Sequence, residues 1–391
     1  MKIAVHIIRI VVGVLFIISG LVKANDPLGL SYKMQEFFEV WNADLSASGF
    51  FLKSALVNTF HFFHEHSLAL SVFMIALEIM AGIALLIGWQ KKFVLSLLSI
   101  LIIFFTFLTG YAYASGKFKN CGCFGDCFPI SPLASFLKDI VLLVAIAFLI
   151  FGQKYIQPIA SRTTQWAALA FSLIISLGLQ WYVLSYLPVT DCLPFKKGNN
   201  ITEQMQIPAN AVPDSFAIQF VYEREKKRYE FSPEQLPADL GNYTFIERKD
   251  KLIRKGNAEP PIKGFSLTGI TNVDSTTIVL SEPYTVLFFY DCREGIQEKD
   301  KNLFINFYNE AYHKNKIPVY IVSASPEETA NSFHNLSLAN ARFFKIDFTV
   351  FRTAARTNPT IYLLKEGTIL GKWSGKEIDK AIQAINNITK R

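Results

Sequence analysis

The chain has 391 residues, 51% hydrophobic and 18% charged, with a formal net charge of +7. That length gives room for two or more domains. The positive charge is spread over short loops with no Lys/Arg tract and no interleaving of aromatic and basic residues, which argues against a nucleic-acid partner.

Long apolar runs dominate the chain up to residue 187, and beyond 195 the composition is that of a soluble protein. Five stretches, 3–22, 67–88, 93–114, 133–151 and 166–187, are long enough to cross a lipid bilayer. The first could be a signal peptide. It has no small-x-small cleavage site and Arg9 lies inside it, so a retained helix is expected. Between the first two spans, KMQEFFEVW and FFLKSALVNTFHFFHEH set aromatic residues beside charges, as segments lying along a membrane interface do.

Orientation follows from the short loops. The loop after the second span carries Lys91 and Lys92; the one after the fourth carries Lys154 and Arg162 and no acid. The excess of basic residues predicts that both are cytoplasmic, with the N-terminus inside. Residues 23–66, 115–132 and 188–391 then lie outside, in a multi-pass inner (plasma) membrane protein with an extracytoplasmic C-terminal domain.

Charged groups within the spans come next. Glu78 sits about halfway along the second span, where a lipid-exposed carboxylate is costly; a proton relay or bundle packing are its two readings. Arg9 is a candidate ion-pair partner for Glu78, while Lys23 and Asp26 are expected to anchor the outer boundary of the first span. Asp139 is a second carboxylate within reach of protons released by thiol oxidation. His61, His64 and His66 gather before the second span, but 64 and 66 do not share a helical face. An interfacial segment is expected there rather than a metal or haem site. The chain contains no P-loop, H-E-x-x-H, C-x-x-C-H or G-x-S-x-G motif.

All five cysteines, Cys121, Cys123, Cys127, Cys192 and Cys292, fall on the outer side, where disulfides persist. Three of them lie in NCGCFGDCFP at 120–129. Disulfide exchange, a structural disulfide from Cys127 or Cys123 to Cys192, and a metal site are all open. The C-x-C-x3-C spacing is not the paired C-x2-C knuckle of zinc, and a fourth ligand would have to be Cys192, Asp126 or a histidine. A Cys121–Cys123 bond would close a small strained ring that is readily reduced. Gly122 and Gly125 free the backbone for that tight path. An odd count leaves at least one cysteine free or paired outside the chain, and Cys292 is expected to fill that role. At a helix N-terminus its thiolate would be stabilised.

Beyond the fifth span, FAIQFVYEREKKRYEF (216–231) alternates as strand, turn, strand, and a short helix is expected from Ser232. From 262 the pattern becomes regular. Strands at 285–290, 318–324 and 343–347 alternate with helices near 295–312, from 327, and near 350–357. Two strands around a Lys-Glu-Gly turn then precede a closing helix near 375–388. Such alternation predicts a parallel core ending in an antiparallel hairpin.

YTVLFFYDC (284–292) resembles the first core strand of the thioredoxin fold, which ends on the nucleophilic cysteine. TNPTIYLLKEGTILGKWSG (357–375) is similar to the segment from that family's cis-proline through its hairpin, which implies a cis bond before Pro359 beside Cys292. IKGFSLTGITNVD (262–274) resembles the lead-in of peroxiredoxin- and TlpA-like members. The family's second cysteine would stand at 295, where this chain has Gly295. RIVVGVLFIISGLVKANDP (9–27), the acid in ALEIMAGIALLIG (76–88) and CGCFG (121–125) resemble the DoxX/MauE group of helical membrane proteins. That resemblance implies a four-helix bundle and links to thiol, sulfur or quinone redox chemistry, or to maturation of an outer-side enzyme.

The expected architecture is an α-helical transmembrane bundle followed by an α/β thioredoxin-like domain. A DoxX/MauE-like bundle spans 1–155, a fifth span 156–190, a linker with a small mixed segment 191–260, and the thioredoxin-like domain 261–391. The leading functional expectation is thiol–disulfide electron transfer by the five cysteines and Glu78, with a lipid quinone or an outer-side thiol protein as partner. The alternative is a non-catalytic scaffold or maturation factor for an envelope protein, with the C-terminal domain serving for docking. A transporter has little support from so few intramembrane charges.

Overall fold

The computed structural model describes residues 1–47, 53–118, 122, 125, 127–128, 130–213, 215–225, 227–254, 256, 258–269, 272–292, 298–333 and 342–389. Five helices are long and apolar enough to cross a membrane: α1 (Lys2–Ala24), α4 (Ser67–Ile87), α5 (Lys91–Ser115), α6 (Pro132–Phe151) and α7 (Arg162–Tyr186). Between the first two lie the interfacial helices α2 (Pro27–Ala47) and α3 (Lys53–Glu65). Local signals set the boundaries. Ser131 and Ser161 cap α6 and α7 by accepting from Ala134 N and Thr164 N, and Gly88 ends α4 in the left-handed region.

In the bundle α1 packs along α4, α5 along α6, and α7 against α4. The α1/α4 contact is close because Gly13 faces Gly82: a Cβ on Gly82 would lie 2.7 Å from the Gly13 carbonyl oxygen. Large apolar side chains such as Ile10, Ile100, Phe107, Val144 and Ile174 point outward, as lipid-facing positions require. The chain is a multi-pass membrane protein. A chain that crosses five times has the described residues that follow its first, third and fifth spans on one face of the bundle.

On that face stands the C-terminal domain. After α8 (Ile201–Gln204) come β1 (Ser215–Arg224), β2 (Lys227–Phe231) and β3 (Thr244–Arg254), an antiparallel sheet in the order β2-β1-β3. Then follow β4 (Thr268–Gly269), α9 (Thr276–Ser281), β5 (Thr285–Phe289), α10 (Glu298–Tyr308), β6 (Val319–Ser323) and α11 (Pro326–Phe333). The chain continues with β7 (Arg342–Lys345), α12 (Phe348–Ala354), β8 (Thr360–Lys365), β9 (Thr368–Ser374) and α13 (Ile378–Thr389). The larger sheet runs β4-β7-β6-β5-β8-β9, with β5, β6 and β7 parallel and β8, β9 and β4 antiparallel to their neighbours. This is the thioredoxin-like arrangement.

All five residues of β5 are buried, because helices cover both faces of the sheet. Val286 and Phe288 meet Phe304 and Phe307 of α10 and Ile385 of α13; Leu287 and Phe289 meet Val279 of α9 and Phe351 of α12. The linker segment divides. Phe195 and Ile201 enter the second of these cores, and Gly198 N donates to Ile369 O at 2.8 Å while Ile369 N donates to Asn199 O at 2.9 Å. Residues 193–205 are therefore built into the domain, while β1, β2 and β3 form a separate sheet.

Replacing Phe195 by Ala in the full chain is expected to cost about 3–5 kcal/mol in the denaturant unfolding of the C-terminal domain. A loss below about 1 kcal/mol would show that the linker is merely draped over the domain.

Candidate functional site

Two clusters and one thiol bring chemistry together. The first cluster is the junction between bundle and domain. Cys127, just before α6, is joined by a disulfide to Cys192, just after α7, across 65 residues. Around it the two parts are tied by charge. Arg356, just after α12, donates through Nε to Asp26 Oδ2 at 2.9 Å with Nη2 in ion-pair contact at 2.9 Å, and Lys372 of β9 pairs with Asp191 at 2.9 Å. Asn25 and Thr190 exchange two hydrogen bonds, Asn25 Nδ2 to Thr190 O at 2.8 Å and Thr190 N to Asn25 Oδ1 at 2.9 Å. Lys376 donates to Ser185 Oγ at 2.9 Å and lies over the rings of Trp181 and Tyr186. A groove of about 610 Å3 opens beside the disulfide, with Tyr32, Lys33 and Glu36 of α2 on one wall and Arg352 and Arg356 on the other.

Burial holds Lys372 below the ordinary lysine range and outweighs the opposing pull of the Asp191 carboxylate. Tyr362, fully buried under Lys372, is held well above the usual phenol range by the same loss of solvent.

The second cluster lies within the bundle. Glu78 is buried and accepts from Ser19 Oγ at 2.9 Å and from Lys23 Nζ at 2.9 and 2.7 Å on its two oxygens. Lys23 also sits 4.7 Å from the Phe105 ring centroid. Asp139 is buried and accepts from Thr109 Oγ1 at 3.0 Å, with Lys138 Nζ 2.9 Å away. Two expectations are corrected. Arg9 does not pair with Glu78: it donates to Leu85 O at 2.8 Å and to Leu86 O, satisfying carbonyls at the C-terminal end of α4, and to Gln157 O at 3.3 Å in the segment before α7. Lys23 does not anchor the span's outer boundary, because its ammonium turns inward as the counter-ion of Glu78. Asp26 sits at the boundary as expected, and its partner is Arg356.

Among the described residues the one unpaired thiol is Cys292, buried just beyond β5, with Sγ 3.0 Å from Thr329 Oγ1 and 3.9 Å from Ser325 O. The Asn358–Pro359 bond is cis. The Asn358 side chain pins that loop to residue 291 by accepting from Asp291 N at 3.0 Å and donating to Asp291 O at 2.7 Å. Cys121, Cys123, Asp126 and Gly295 lie outside the described residues, so the Cys121–Cys123 ring and the helix start after Cys292 have no structural account. Gly122 and Gly125 both adopt left-handed φ, +66° and +57°.

The three histidines go to separate partners. His64 contacts Glu39 at 3.0 Å, His61 contacts Glu65 at 3.6 Å, and His66 meets Phe62 O at 2.9 Å. Among the described residues no group of three His, Cys, Asp or Glu side chains gathers for a metal.

The fold and these clusters define a multi-pass membrane bundle that carries a thioredoxin-like domain on one face. Residues 1–152 match the model of the methylamine utilisation protein MauE family, and residues 216–255 match a domain family of unknown function. The chain thus combines a membrane bundle that matches this family model over residues 1–152 with a C-terminal domain of thioredoxin-like strand order. No curated protein matches the chain. Among solved structures it is similar to BsSco, a member of the Sco family of cytochrome c oxidase assembly proteins, at 15% identity over 32% of this chain and 91% of that one, with TM-score 0.27. It is similar to yeast Sco1 at 12% identity over 32% and 92% of the two chains, with TM-score 0.25. The thioredoxin-like assignment rests on strand order and packing.

A double-mutant cycle of Asp26→Asn and Arg356→Met is expected to show coupling of at least about 1 kcal/mol in stability; strict additivity would contradict a shared junction. Because the folded-state value of Lys372 is depressed, the unfolded chain binds more protons between that value and the ordinary lysine range. Stability should therefore rise with pH through that window, and Lys372→Met should flatten the rise. Denaturation midpoints measured across pH check it, and an unchanged slope in the variant refutes the assignment.

Proposed function

We propose that the chain is a membrane-resident maturation factor for an envelope protein, with the thioredoxin-like domain as its docking module rather than a dithiol catalyst. The observation that carries this reading is how the thiols are used. Cys127 and Cys192 are joined to each other at the junction, and Cys292 is buried with Gly295 at the position of the family's second cysteine. A dithiol cycle within that domain needs two cysteines, and the sequence supplies one. The MauE match covers the bundle that would anchor such a factor.

In this reading the N-terminus is cytoplasmic and the C-terminal domain extracytoplasmic. The all-basic loops support that orientation, as does a disulfide, which persists on the oxidising side of a membrane. Reporter fusions at Gln90 and Asn200 are expected to report opposite sides, and the same side for both would overturn the orientation.

The role itself is tested by deleting the gene and measuring extracytoplasmic proteins quantitatively. One or a few should fall in abundance and return to normal with the Cys292→Ser protein. If Cys292→Ser behaves as the deletion at normal protein level, or a mixed disulfide with a partner is trapped, thiol–disulfide transfer replaces the docking role.

A further inference from the structure

The small sheet leaves one long edge open. β3 lies at the end of the order β2-β1-β3, and among the described residues no strand pairs with its other side. From Thr244 to Asp250 it is exposed. A strand of 11 residues that presents unpaired N–H and C=O groups along one edge is a template for another strand. Charges on such an edge keep most strands away, and β3 carries five in a row, Glu247-Arg248-Lys249-Asp250-Lys251. Their order makes an exception for one sequence. Laid antiparallel against itself about Lys249, the run sets Glu247 opposite Lys251 and Arg248 opposite Asp250, each pair twice. Moving the centre by one residue sets Arg248 against Arg248 or Asp250 against Asp250 instead. The one like-charge meeting in the favoured register is Lys249 with its own copy. Within its chain Lys249 already pairs with Glu230 at 2.8 Å and lies 3.7 Å from Glu247. The run also sits on regular strand, because the register of β3 against β1 is unbroken from Glu247 to Leu252.

We propose that β3 docks on β3 of a second copy, antiparallel and centred on Lys249, so that two small sheets join into one. The interface is isologous, the same edge serving on both sides. Four attractive charge pairs cross it, and two copies held in one membrane meet at a raised effective concentration. A strand without the matching order of charges meets repulsion at this edge, so the residues that exclude other partners admit a second copy. The pairing involves the small sheet alone and is separate from the maturation role.

The test is cross-linking of the full chain in native membranes. Lys249→Cys puts a thiol on the two-fold axis, where facing Cα atoms lie about 4.5–5.5 Å apart, within the roughly 4.4–6.8 Å that a disulfide spans. Mild oxidation is expected to give a 249–249 cross-link, identified by peptide mass mapping. In that background Arg248→Glu sets acid against Asp250 of the other copy, and Asp250→Arg sets base against Arg248. Each variant alone should lower the yield by roughly fivefold. Co-expressed with different tags, the two variants complement each other, and cross-links should return between unlike tags only. Both variants break the 2.7 Å contact of Arg248 with Asp250 inside their own chain, so recovery in the mixture reports pairing between copies. The proposal is overturned by no 249–249 cross-link in the parent, by a yield indifferent to Arg248→Glu, or by no recovery between unlike tags. Like-tag cross-links at full yield in the mixture overturn it equally.

Discussion

The bond between Cys127 and Cys192 decides where the C-terminal domain stands. It ties the loop before α6 to the first residues after α7, so the chain leaves the membrane at a fixed point above the bundle. Closing a loop of that length restricts the unfolded chain by at most about 4 kcal/mol, less where the membrane already restrains α6 and α7. The polar contacts depend on this placement. Asp191, next to Cys192, pairs with Lys372, and Asp26, just past α1, pairs with Arg356. The loop carrying Pro359 is thereby turned toward the bundle, with Arg356 and Lys376 on either side of it gripping α1 and α7.

Inside the bundle the argument is one of specificity rather than stability. Burying a lysine and a glutamate costs several kcal/mol per ion before their attraction is counted, and a pair of apolar residues would often be as stable. The Lys23–Glu78 pair persists at a close glycine-lined contact of α1 with α4, where it fixes the relative height of the two helices. Slipping α1 by one turn would separate the charges and strand both in hydrocarbon.

Much of this was legible in the sequence. Each span ends within about four residues of the apolar run that announced it, because hydrocarbon thickness fixes length. The core strands and hairpin follow from alternation and glycine, and the link from Cys127 to Cys192 was one of the pairings left open. Lys23 was misread because charge at a helix end usually signals an interface. Its true position was written in the spacing, since Val5, Arg9, Val12, Phe16, Ser19 and Lys23 recur every three or four residues on the one buried stripe of α1. Lys138 and Thr109 had no such signal, because their role depends on how α5 meets α6. Phe195 and Ile201 were read as linker because they are isolated apolar residues among polar ones; their place comes from long-range pairing with the β8–β9 hairpin, which no local pattern encodes.

The most direct measurement is a mass map of disulfides in native membranes isolated with free thiols trapped. The account predicts a peptide pair joining Cys127 to Cys192, with Cys292 alkylated only after unfolding. Finding Cys127 joined instead to Cys121 or Cys123, or Cys192 free, would contradict it.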